Sequence, residues 1–128
     1  NPPKGLLLEP RFREGMAELA RRDLCFDAWL YHHQLPELVD LARACPDVTI
    51  ILDHFGGPLG IGPYEGKREE IFRAWREDIA ELARCPNVIA KLGGLVMRLF
   101  DASSHDSGSH GVEVHESHAR LPHPWVEL

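Results

Sequence analysis

Basic residues are scarce in this sequence: 14 lysines and arginines stand against 20 aspartates and glutamates, a net charge of −6 with histidine neutral. A surface of that sign repels polyphosphates and anionic headgroups, so neither nucleic acid nor a membrane is an expected partner. Long apolar runs are missing too; no stretch nears the roughly 18 residues of a membrane-spanning helix. No basic segment followed by an apolar one opens the chain, which begins at Asn1. The three cysteines, Cys25, Cys45 and Cys85, form no CxxC pair, which argues against a disulfide framework or a structural zinc site. They read as small apolar fillers in a reducing, cytoplasmic setting. Phosphate-cradling glycine loops, GxSxG elbows and HExxH helices are all lacking.

What is present is an alternation of short units. Pro2, Pro3 and Gly5 make the start a loop, and Pro10 suits the first turn of a helix. Phe12, Met16, Leu19 and Ala20 recur at three- and four-residue steps, which predicts a helix from Phe12 to about Arg22. LCFDAWLY (24–31) reads as a strand, and a second helix opens at Gln34-Leu35-Pro36 with Leu35, Leu38, Val39 and Ala42 on one face. DVTIILDH (47–54) has the composition of a strand buried on both faces. Beyond a glycine-rich loop (55–66), Ile71, Phe72, Trp75, Ile79, Leu82 and Ala83 predict a helix from Lys67 to Arg84, followed by a strand over 87–92.

Such alternation predicts an α/β fold with a parallel sheet. A near repeat agrees. Cys45-Pro46 and Cys85-Pro86 lie 40 residues apart, each ahead of an apolar strand and a Gly-Gly, at the spacing of one unit in a large barrel. The expected architecture is a partial (β/α)8 TIM barrel over residues 1–100, with about three parallel strands. Past Phe100 the pattern stops, and residues 101–128 read as an irregular or disordered tail rich in His and Ser. His115 and His118 in that tail have HxxH spacing, but a flexible polar segment offers a metal no fixed geometry.

In parallel sheets, ligands sit beyond the carboxyl ends of the strands. The first strand leads into Tyr31, His32, His33 and Gln34, the second ends in Asp53 and His54, and the third in Lys91. Alternation puts Val48, Ile50, Leu52 and His54 on one face, with Thr49, Ile51 and Asp53 on the other. With the first set turned into the barrel, His54 faces the mouth, within reach of a ligand or a metal. Asp53 then points toward the helical layer, where it supports the site or caps a loop. Gly56 and Gly57 let backbone approach a substrate closely. His32 and His33 are neighbours on a strand, so at most one enters the site. Lys91 reads equally as a solvated strand-end charge and as a substrate ligand. Arg68, Arg73 and Arg76 form the solvated face of the third helix.

The segments FDAWLYHHQLPELVDLARACPDVTIILDHFGGPLGIGPY and WREDIAELARCPNVIAKLGGL resemble the amidohydrolase-related family of hydrolases. That family includes sugar-acid lactonases and the 2-pyrone-4,6-dicarboxylate lactonase. The resemblance spans residues 5–100 and implies strands five to seven of a (β/α)8 barrel. It implies hydrolysis of a lactone or related cyclic ester by an activated water. For His54 it implies the catalytic position at the end of strand six, polarising the substrate carbonyl or binding a divalent metal, zinc or manganese. His32 or His33 matches a second metal ligand, while His33, Gln34, Tyr64 and Lys91 are the expected substrate contacts.

The family's HxH pair on its first strand and the water-activating Asp on its last are not in this sequence. The chain is therefore expected to be a fragment, inactive alone, with a start upstream of Asn1 and a shift of reading frame after about Phe100. Two open sheet edges predict self-association. The alternative is a non-catalytic α/β module that binds a small anion or another subunit.

Overall fold

Pro10 has a fixed φ and no N–H to lose, and it occupies the first turn of α1 (Pro10–Arg21). A computed structural model of the chain describes residues 3–93. After α1 come β1 (Phe26–Ala28), α2 (Leu35–Ala44), β2 (Ile50–Asp53), α3 (Arg68–Leu82) and β3 (Val88–Lys91), with short 3-10 turns at Leu6–Leu8, His32–Gln34, His54–Gly56 and Gly62–Tyr64. The strands form one parallel sheet in the order β1-β2-β3. Phe26, Ile50 and Val88 lie in one register row, and Asp53 pairs with Lys91 at the far end. The α/β alternation is as expected.

The strands are shorter than their apolar runs. β2 stops at Asp53 because His54 takes a φ of 51°, outside extended geometry. β1 has ladder partners only over Phe26–Ala28, yet the alternation of exposed and buried side chains persists to His33.

One face of the sheet carries the core. Ala28, Ile50, Leu52, Val88 and Ala90 are buried together with Met16 of α1, Leu35, Leu38 and Leu41 of α2, and Leu82 of α3. Burying each leucine completely contributes about 1.5–3 kcal/mol. The opposite face presents Asp27, Ile51 and Ile89 in one row and Asp53 and Lys91 in the next, and it has no covering layer among the described residues.

Two expectations are corrected here. Val48, Ile50 and Leu52 turn toward the helices rather than into the barrel, and Asp53 stands on the open face instead of in the helical layer. The reason is that α1, α2 and α3 supply the apolar cover among the described residues, so the fully apolar parity of β2 goes to them. Phe72, placed on the apolar face of α3 by its spacing, is 52% exposed and stacks on Trp75. Cys25 is likewise exposed rather than a core filler.

At the amino ends of the strands, the Asn87 side-chain amide donates to the carbonyls of Ala42, Cys45 and Val48 at 3.0–3.1 Å. It ties the end of α2 to the entry of β2. No helix among the described residues is long and apolar enough to cross a membrane. The expected tail, with its histidines, lies outside the described residues.

Candidate active site at the carboxyl ends of the strands

Backbone geometry departs furthest from the ordinary at the carboxyl end of β2. His54, Phe55, Gly56 and Gly57 are four successive residues of positive φ. For the two with side chains this costs about 1–2 kcal/mol each. Gly56 is obligatory, since a Cβ there would stand 2.6 Å from Leu35 Cδ2.

Three hydrogen bonds hold the turn. The Gly57 N–H donates to the His54 carbonyl (3.3 Å), the His32 N–H to the Gly57 carbonyl (3.3 Å), and the Trp75 indole N–H to the Phe55 carbonyl (2.7 Å). The His54 ring is partly exposed, but its Nδ1 is buried without a hydrogen-bond partner among the described residues. Leaving such an atom unpaired costs about 1–3 kcal/mol, and native folds tolerate it chiefly where the atom has other work.

Beside this turn, Lys91 Nζ stands 3.0 Å from Asp53 Oδ1. The ammonium's pKa is raised, chiefly by its hydrogen bond to Asp53 and that carboxylate's charge, while desolvation works against this and Asp27 and Cys25 add smaller support. Lys91 is therefore a fixed cation on the open face at neutral pH. Asp53 faces the same space as its partner and contributes directly to the rim.

The parity of the β1 extension separates the two histidines. His32 is buried, and its Nδ1 accepts the Leu59 N–H at 3.2 Å. Burial, then the neighbouring His33, lowers its pKa, with Gly57 acting in the opposite sense. It is a neutral imidazole whose proton sits on Nε2. A metal on that nitrogen would require an imidazolate while Nδ1 accepts from Leu59, so the expected ligand role does not fit His32 as placed. His33 is exposed, lies parallel to the Tyr64 ring at 6.1 Å, and its Nδ1 is 3.4 Å from the Tyr64 hydroxyl. Gln34 Oε1 accepts the Tyr31 N–H at 3.3 Å, closing the turn that starts α2, so its carbonyl acts locally.

Sequence reasoning missed Trp29, gave Tyr31 only as a strand-end residue, and read Trp75 only as part of the apolar face of its helix. Trp29 lies one step past the Ala28–Leu52 pair, the same step that carries Leu52 to Asp53. It is 60% exposed, and its ring leads to Tyr31 at 5.6 Å and on to His33 at 6.2 Å. The aromatic content of 24–31 was a signal for them, but it speaks equally for strand propensity.

As a metal centre, this donor set falls short. No group of three or more His, Cys, Asp or Glu side chains is placed to hold an ion among the described residues. His54 offers one nitrogen, His32 is committed to Leu59, and Asp53 already faces an ammonium.

Residues 1–120 match the family model for amidohydrolases. The chain belongs to the amidohydrolase family. The match runs past Phe100, after which an irregular tail and a shift of reading frame were expected. Among curated relatives, this amidohydrolase chain is 44% identical over 88 residues to the uncharacterized protein y4mH of Sinorhizobium fredii, covering 69% of this chain and 27% of that protein. It is 36% identical over 87 residues to an L-fucono-1,5-lactonase of Burkholderia ambifaria, covering 68% of this chain and 28% of the lactonase. The chain thus spans little more than a quarter of the length of these relatives.

A solved amidohydrolase from Burkholderia multivorans with bound Zn superposes with a TM-score of 0.62 at 28% identity, over 72% of this chain and 31% of that one. The three strands and their helices are accordingly an arc of the TIM-barrel fold of this family, with the His54 turn at the carboxyl end of β2.

Proposed function

We propose that this amidohydrolase chain forms the electrophilic and substrate-binding side of a hydrolase site acting on a lactone or related cyclic ester. The observation that carries the reading is the buried, unpartnered Nδ1 of His54 on a strained turn at a strand's carboxyl end, next to the Asp53–Lys91 pair. The 36% identity to an L-fucono-1,5-lactonase supports a sugar-acid lactone as the substrate class.

Hydrolysis adds water across the acyl C–O bond: a carbonyl oxygen gains negative charge, and the ring oxygen leaves with a proton. Lys91 supplies a fixed positive charge toward the first, and His54 a hydrogen-bonding imidazole. Trp29, Tyr31, His33 and Tyr64 form an aromatic side wall, suited to the C–H face of a ring whose hydroxyls turn toward Asp53. Because the described donors do not fit a metal centre, no step here runs through one.

The isolated chain is expected to be inactive. Asp53, the carboxylate adjoining His54, is held in an ion pair by Lys91 and is not free to act on water.

Replacement of His54 by Asn tests the reading, because Asn tolerates a left-handed backbone. In the full-length protein assayed on L-fucono-1,5-lactone, turnover should fall by about 10²–10⁴-fold. An unchanged rate removes His54 from the site.

A further inference from the structure

The turn that carries His54 is strained, and its grip from the helical layer comes from a residue outside the rim. Trp75 sits on α3, half-buried against the core, and its indole N–H donates to the Phe55 carbonyl at 2.7 Å. That carbonyl belongs to the second of the two left-handed residues with side chains, immediately after His54. An L-residue at positive φ has a more stable right-handed well close by. Rotation of the Phe55–Gly56 peptide toward that well would swing the Phe55 carbonyl off the indole. The hydrogen bond therefore opposes the relaxation the local backbone favours. The Gly57 N–H and carbonyl bonds act on either side, whereas Trp75 grips the carbonyl of the Phe55–Gly56 peptide itself.

We propose that Trp75 is a positioning residue for His54: its indole N–H locks the left-handed turn and so fixes the direction in which the imidazole leaves the strand. Trp75 touches no candidate substrate group; it acts through Phe55. The catalytic consequence rests on the hydrolase reading above, whereas the geometric claim does not.

Two replacements separate the hydrogen bond from packing. Trp75→Phe removes the donor and part of the ring, and benzothienylalanine at position 75 keeps the bicyclic shape while lacking only the N–H. Phe72→Ala is the control, since it strips the ring stacked on Trp75 at 5.5 Å and leaves the donor in place.

In the 128-residue chain, NMR of the imidazoles should show the His54 ring signals and tautomer balance moving in both donor-less variants. They should stay unchanged in Phe72→Ala. In the full-length protein, kcat on L-fucono-1,5-lactone should fall about tenfold with KM nearly constant, the signature of a misdirected group rather than a lost contact. If the benzothienylalanine protein keeps native His54 signals, the proposal is overturned, whatever Trp75→Phe does to folding. If the signals move while His54→Asn leaves turnover intact, the clamp stands and the hydrolase reading fails.

Discussion

The two ends of this sheet are built on opposite principles. At the amino ends of the strands, one Asn87 amide satisfies three carbonyls, of Ala42, Cys45 and Val48. At the carboxyl ends, four successive residues hold positive φ, an imidazole nitrogen is buried without a partner, and an ammonium and a carboxylate face an uncovered surface. The Asn87 bonds at the lower end join helix to strand and contribute stability. The upper end keeps unsatisfied and strained groups, which costs stability and leaves valences for something else to use. In barrels of this class, chemistry gathers at the carboxyl rim and stability at the amino rim.

The contrast can be broken from either side. Asn87→Ala should produce the largest loss of stability, about 3 kcal/mol by denaturant unfolding, because the Ala42, Cys45 and Val48 carbonyls lose their side-chain donor together and Cys45 keeps only the Val48 N–H. It should leave turnover of the full-length protein unchanged; a fall in kcat without unfolding would show that the lower end is not purely structural. Gly56→Ala should cost about 2 kcal/mol, from its positive φ and the approach to Leu35, and should lower turnover as well. A Gly56→Ala protein with full activity would mean that the strained turn has no bearing on the site.

The pH dependence of His32 sharpens the picture next. Its folded pKa lies below the ordinary histidine value, so on acidification the unfolded chain takes up the proton first. The stability it contributes is complete above about pH 6.5 and is lost as the pH falls toward the folded pKa. Unfolding midpoints measured between pH 7.5 and 5.5 should therefore fall, and His32→Gln should flatten that slope; an equal slope in both proteins would place the titration elsewhere. Smallest for stability is Lys91→Met, expected to cost about 1 kcal/mol because Asp53, only 14% exposed, loses its ion-pair partner. In the full-length protein it should raise KM or lower kcat on the lactone; no change in either would remove Lys91 from the rim.

Much of the architecture was legible in order and kind. Periodicity in 12–22, in the segment opening at Gln34 and in 67–84 identifies three helices, the apolar runs identify three strands, and the alternation makes the sheet parallel. The rim was legible as a set of residues, because strand ends announce themselves where apolar runs meet His, Asp, Lys and Gly. Their directions were not. β2 reads as apolar on both parities until Asp53, so composition could not say which parity met the helices. His54 then left the strand altogether, and strand alternation ceased to apply to it. Trp75 was legible only as a core residue, since its period is that of the buried face of α3, and its hydrogen bond to Phe55 spans 20 positions.

By itself, the sequence determined the local choices: which segments coil, which extend, where glycines follow the strand ends, and which titratable groups cluster near those ends. These follow from propensities and periodicities that act within a few residues. Only the tertiary structure decided that Asp53 and Lys91 meet on the open face, that His32 is committed to Leu59 while His33 is exposed, and that an indole from α3 holds the turn of β2. Such pairings depend on register between strands and on which face the helices cover, and both are fixed by burial summed over the whole sheet rather than by any neighbouring residues.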